Sequence, residues 1–196
     1  MTDHTTDSEL KVFQNKRIVA SHSEKIKAEP KKIFPLLCPI QEYKWIDGWK
    51  CEMVYSQSGG IEKHCIFYEE KTGPILFNHE APTYWLVSQY EPLDFRLQFI
   101  HHTVGMFVSQ MDLTVEELSD GESSVNWSFT ITALNEEANS LIDANTEHKA
   151  KMYLTIVGKS LKHYCETGEM LKLNKANILK WGVSARISQL LKAHFK

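Results

Sequence analysis

With 196 residues, 42% hydrophobic content and a net charge of −3, the chain is long enough for one well-packed domain with short extensions. The charge is uneven, because residues 172–196 carry six Lys or Arg and no Asp or Glu; the remaining body is acidic, which argues against nucleic acid as a partner. No apolar run approaches the ~20 residues that span a bilayer, so no transmembrane segment is expected. Met1 to Leu10 is polar and acidic rather than signal-like. Cys38, Cys51, Cys65 and Cys165 show neither a C-x-x-C pair nor zinc spacing. A cytoplasmic protein with free, mostly buried thiols is the expectation.

Residues 1–15 form a polar lead-in. Arg17 to Ala28 reads as a first strand. Pro30 can open a short helix whose buried face is Ile33, Phe34, Leu36 and Leu37, and Pro35 and Pro39 keep it short. A second short helix or turn covers Gln41 to Trp45, and Asp47-Gly48 turns the chain.

Six strand-like runs follow, at Trp49–Ser56, Lys63–Glu70, Thr83–Tyr90, Phe95–His101, Met106–Leu118 and Ser123–Leu134. Their period-2 alternation and the turns at Ser58-Gly59-Gly60, Glu91–Asp94 and Asp120-Gly121 predict an antiparallel meander with one wet face. Thr72-Gly73-Pro74 begins a longer loop. Asn135 to Cys165 then reads as one amphipathic helix of roughly 45 Å. Asn135 is its N-cap, Glu136 and Glu137 sit at its positive end, and Thr167-Gly168 is its stop. The apolar stripe takes in Leu141, Ile142, Met152, Tyr153, Ile156, Leu161 and Tyr164, with His148 in line.

Strand, two short helices, six strands and a long helix is an order that resembles the START/Bet v 1-like (SRPBCC) superfamily. The resemblance reaches the sequence itself in KIFPLLCPIQEYKWIDGWKCEMV at 32–54, in the Ser58-Gly59 turn, in Cys65 to Phe67, and in Thr130 to Asn135. These runs are similar to a bacterial polyketide cyclase/dehydrase-like subgroup, over about residues 17–171. The expected fold is α+β, a helix-grip (Bet v 1-like) fold. A curved seven-stranded antiparallel sheet surrounds a long C-terminal helix, with two short helices after strand 1 and an extra C-terminal helix. The expected domains are the lead-in 1–15, a ligand-binding domain 16–171 and a basic amphipathic helical extension 172–196.

The resemblance implies a deep cavity between sheet and helix for lipids, sterols, polyketides or other apolar molecules, and no universal catalytic motif. The strand phases offer Trp49, Cys51, Met53, Cys65, Phe67, Trp85, Phe99, Met111, Trp127 and Phe129 as its walls. His148, Met152 and Ile156 would face them from the helix. The competing reading is that all of these fill a solid core.

His148 and Tyr153 are the candidates for proton transfer, set against a plain core or rim role. Tyr55, Tyr84 and Tyr90 could also hydrogen-bond a ligand. His101-His102 is a poor metal site, because neighbours in a strand point to opposite faces. No metal and no cofactor are implied. The leading function is binding or transport of a small hydrophobic molecule. The alternatives are a polyketide cyclase/aromatase-type enzyme using the same cavity, or a chaperone-partner-like interaction module, so enzymatic activity stays open. Leu179, Val183, Ile187, Leu190, Leu191 and Phe195 give the extension an apolar side. It can pack on its own acidic body, build a homodimer, or make a peripheral contact with an anionic membrane.

Overall fold

Alternating apolar and polar residues resolve into seven strands in a computed structural model that describes residues 14–72, 81–119 and 121–173. The strands are β1 (Arg17–Ile26), β2 (Glu52–Tyr55), β3 (Ile66–Thr72), β4 (Ala81–Glu91), β5 (Arg96–Thr103), β6 (Phe107–Ser119) and β7 (Glu122–Ala133). All neighbours pair antiparallel in the order β1-β7-β6-β5-β4-β3-β2. The first strand therefore pairs with the last, with Ala20 opposite Phe129 and His22 opposite Trp127. Along β7 every second side chain is buried, from Ser123 through Val125, Trp127, Phe129 and Ile131 to Ala133. That is the pleat of a sheet with one covered face.

Three prolines divide the segment after β1. Pro30 opens α1 (Pro30–Ile33), Pro35 lies in the first turn of a 3-10 helix (Phe34–Leu37), and Pro39 opens α2 (Pro39–Glu42). Each ring fixes the local φ and removes a donor, so no single helix can run through. Gly48 turns the chain at φ 81°.

Three expectations are corrected. Strand 2 is shorter than Trp49–Ser56, because side chains claim its first residues. The Trp49 Nε1–H donates to Pro39 O at 2.8 Å, and the Cys51 N–H donates to the Tyr43 hydroxyl at 2.8 Å. Strand 5 starts at Arg96 rather than Phe95, since Phe95 has φ 51° and turns its ring onto Phe34, 5.8 Å away.

The long helix is two. Asn135 caps α3 (Glu136–Leu141) by accepting from Ala138 N at 2.8 Å. The chain then turns extended at Ile142 and restarts as α4 (Thr146–Thr167). Asp143 and Thr146 make the break. The Asp143 carboxylate accepts from Asn145 N at 2.8 Å and from the Thr146 hydroxyl at 3.0 Å, while Asp143 N donates to Thr146 Oγ1 at 2.9 Å. Short polar side chains here offer the backbone a local alternative to the helical ladder. Gly168, at φ 77°, ends α4.

α4 packs chiefly on β1. Glu24 is buried there at 4% exposure. Its carboxylate meets Lys159 at 2.9 Å, Lys162 at 3.6 Å and His22 at 3.3 Å. Burial alone would raise the Glu24 pKa, but the His22 hydrogen bond and the two lysines outweigh it and hold it below its ordinary value. Gly158 lets the two backbones approach.

The lead-in before Gln14 and the extension beyond Leu173 lie outside the described residues. No helix among the described residues is long and apolar enough to cross a membrane.

A Cβ at Gly158 would sit 2.9 Å from His22 Nε2 and 3.2 Å from Glu24 Cβ. Gly158→Ala gains about 1 kcal/mol of helix propensity, but overpacking costs about 1–3 kcal/mol. We expect a net loss of stability in urea unfolding. A more stable variant would show that α4 and β1 are not in contact at this point.

Candidate functional site

The inner face of the sheet carries an aromatic cluster. Trp85 on β4 lies over His101 on β5, with ring centroids 3.9 Å apart and planes inclined by 23°. Trp49 and Phe99 meet Trp85 edge-on at 5.6 and 5.5 Å. Phe129 closes on His101 at 5.6 Å. The pleat explains the grouping, because Trp85 is opposite His101 in the β4–β5 register and Phe99 is opposite Met111 in the next pair.

Between this cluster and α4 lies a partly enclosed cavity. Trp85, Phe99, Met111, Leu113 and Trp127 form its sheet side, and Tyr153, Leu154 and Val157 form its helix side. Glu42 and Ile46, from α2 and the turn after it, close one end. The atom-free space is about 360 Å³ including the open mouth, but the centre of a water-sized sphere can move through only about 20 Å³ of it. That is room for a water molecule rather than for a lipid chain.

The polar groups around this space are unusual. Glu42 is 9% exposed. Among the described residues, no hydrogen bond or ion pair reaches its carboxyl. Burial, and then the Glu69 charge, push its pKa well above the ordinary 4.5. Tyr153 is half-buried, and its hydroxyl likewise meets no partner among the described residues. Burial, with Glu69 and Glu42 nearby, raises the phenol pKa. Trp85 Nε1 and His101 Nε2 are buried without hydrogen bonds. By contrast, the Trp45 and Trp49 indoles donate to Leu36 O and Pro39 O at 2.9 and 2.8 Å. Burial alone lowers the His101 pKa to about 3, so the ring is neutral. Buried groups left unbonded are costly and call for a reason; of these atoms Trp85 Nε1 lies on the cavity wall, which with Glu42 and Tyr153 makes this the candidate site.

The expected wall residues separate into groups. Trp85, Phe99, Met111 and Trp127 line the cavity with Tyr153. Trp49 and Phe129 stand behind it in the aromatic cluster. Cys51, Cys65 and Phe67 are buried in the wider core, and Met53 packs partly buried against it. Met152 and Ile156 are buried on α4 but are not among the side chains around this cavity.

His148 is exposed and does not face the cavity, which corrects its expected place. Ala150, Leu154 and Leu161 of α4 join the core, and His148 lies roughly 200° around the helix from Ala150. Tyr55 and Tyr84 are exposed, and Tyr90 stacks on Phe34 at 5.7 Å. His101 is buried and its neighbour His102 exposed, one on each side of the sheet.

Sequence reasoning missed Glu42, Ile46, Leu113, Leu154 and Val157. Glu42 was findable in one respect, since it precedes Ile46 by four residues and so shares its face in any helical turn. All four cysteines are free, and burial raises each thiol pKa, to about 12 at Cys51 and about 11 at Cys165. These are packing residues rather than nucleophiles.

Folded Glu42 keeps its proton above the pH at which the unfolded side chain, near 4.5, loses it. The folded state then binds more protons, so stability falls as pH rises through that window. Glu42→Gln removes this term. Its melting temperature is expected to match the parent near pH 4.5 and to exceed it increasingly toward neutral pH, each 1 kcal/mol appearing as about 2–4 °C. A difference independent of pH would mean that native Glu42 is ionised.

No protein-family model matches the sequence, and no curated protein matches it either. Solved structures do match. The Zhui aromatase/cyclase from Streptomyces sp. R1128 superposes with a TM-score of 0.57 at 9% identity, over 80% of this chain and 100% of that one. A START superfamily protein from Mycobacterium smegmatis gives 0.54 at 10% identity, over 76% and 97%. DynU16, a protein from the dynemicin biosynthetic locus, gives 0.54 at 13% identity over 77% of this chain. The match spans about half of DynU16, 48% of its length. Strand order, the short helices after β1 and the long helix α4 agree with these likenesses. The chain has the helix-grip fold of the START/Bet v 1-like proteins.

Proposed function

We propose that the protein binds a small, largely apolar molecule between the sheet and α4. The observation that carries this reading is the cavity itself, walled by aromatic and aliphatic side chains with a carboxyl and a hydroxyl that meet no partner among the described residues. Such sites take most of their affinity from apolar burial, at about 25 cal/mol per Å², and use a few polar groups to orient the ligand. The space must widen to admit a ligand. Met111 and Leu113, with flexible unbranched or γ-branched chains, are the walls best able to move.

A second reading is favoured by Glu42 and Tyr153. A carboxyl held protonated beside a phenol in a low-dielectric space is suited to proton donation, as a cyclase/aromatase-type enzyme needs. The likeness to the Zhui aromatase/cyclase supports the same reading. The four unpaired thiols support a cytoplasmic location. The basic segment 172–196 is the candidate for a homodimer, membrane-surface or chaperone-partner contact.

Native mass spectrometry of the gently purified full-length chain tests the main reading. We expect a reproducible excess mass, released on denaturation as an apolar compound, and its loss in Leu113→Trp, which fills the cavity without adding charge. A bare-chain mass, with no tryptophan fluorescence change on titration with apolar aromatics, would overturn it.

A further inference from the structure

The polar groups that face or wall the cavity each carry a donor hydrogen. Tyr153 presents a hydroxyl, and Trp85 Nε1–H can only donate and has no partner. Glu42, with no cation beside it among the described residues, presents a carboxylic acid O–H. None of the described side chains lining the cavity is Lys or Arg. A carboxylate or phosphate head would find no counter-charge among them and would stand near Glu69, which is buried on β3. The group that complements this set is an uncharged acceptor oxygen.

We infer that Glu42 and Tyr153 are specificity-determining residues that select uncharged, carbonyl-bearing aromatic ligands and reject anionic ones. This rests on the cavity-binding reading above. The carbonyl oxygen accepts from the Glu42 carboxylic acid and the Tyr153 hydroxyl, and the ring system lies among Trp85, Phe99 and Trp127. Glu42 is already buried before the ligand arrives, and Tyr153 is half-buried. A ligand that bonds them recovers what their burial costs, and a ligand without an acceptor leaves them unbonded.

The test uses the full-length chain and four probes on one ring framework: 2-acetylnaphthalene, 2-ethylnaphthalene, 2-naphthoate and 2-(2-aminoethyl)naphthalene. Binding is read by tryptophan fluorescence, and the bound ketone is read by its infrared C=O stretch. We expect the ketone to bind about tenfold or more tighter than the ethyl compound, with naphthoate weaker still. The bound C=O stretch should move to lower wavenumber. Tyr153→Phe should weaken the ketone several-fold and reverse part of that movement while leaving 2-ethylnaphthalene unchanged. Glu42→Leu should act in the same direction, and Tyr153→Phe decides the matter if that variant does not fold.

Equal binding of the ketone and ethyl compounds, or an unshifted C=O stretch, would overturn this inference and leave the apolar cavity standing. Tightest binding by naphthoate or by the amine would overturn it in favour of a charged ligand. Failure of all four to bind would sink the cavity reading and this inference with it.

Discussion

Glu24 fixes where the long helix lies, and the interior follows from that. A carboxylate at 4% exposure is tolerable only with compensation. Lys159 and Lys162 reach down from α4 to supply it, at 2.9 and 3.6 Å, and His22 adds a contact at 3.3 Å. Both lysines keep about a third of their side chain exposed, so solvent screens part of the attraction and the pairing is worth less than a fully buried one. Its main effect is positional. It works with Gly158, which removes the side chain that would keep helix and strand apart. α4 is thereby drawn to one border of the sheet, over β1 and the edge of β7. The central strands can reach it only through their largest side chains. Trp85, Phe99, Met111 and Trp127 fill that gap incompletely, and the cavity is what they leave.

Two buried glutamates thus have opposite solutions. Glu24 is paired and its pKa is lowered; Glu42 has no partner among the described residues and its pKa is raised. The second arrangement costs stability as pH rises above the ordinary carboxylate range. The Trp45 indole, donating to Leu36 O, and the Tyr43 hydroxyl, donating to Cys51 O, already hold the segment around α2. A leucine in place of Glu42 would suit the same wall by packing alone. Departures from local consistency of this kind concentrate where a protein does something other than fold.

Much of the architecture was legible because strands write their faces into the sequence with period 2. Trp127 and Phe129 share one phase along β7, and Trp85 and Phe99 show the same inward phase in β4 and β5. Helix phase was harder. The break at Asp143 and Thr146 depends on which local hydrogen bonds form, not on apolar spacing. Once α4 restarts at Thr146, the sheet-facing line runs through Ala150, Leu154 and Leu161 rather than through His148 and Met152. Glu42 was hidden for a different reason. A charged residue between Gln41 and Tyr43 looks like surface, and only the tertiary placement of Ile46 and Trp85 around it shows that it is covered.

The small free space and the unbonded donors belong to one argument. About 20 Å³ open to a water-sized sphere is far from the volume of a ring system, so the binding proposed above requires a more open arrangement of the same walls. A preference of the free protein for the closed arrangement would then lower apparent affinity by the fraction that is open. In the closed arrangement the apolar walls gain contact, but the Trp85 indole stays unbonded, and Glu42 and Tyr153 meet no partner among the described residues. Their unmet hydrogen bonds offset part of what closure gains and so hold the open arrangement within reach. An acceptor on the ligand then acts twice, bonding the donors directly and favouring the state in which they can be bonded. On the proposed reading, the polar end of the cavity is then the part that would decide which apolar molecule is kept.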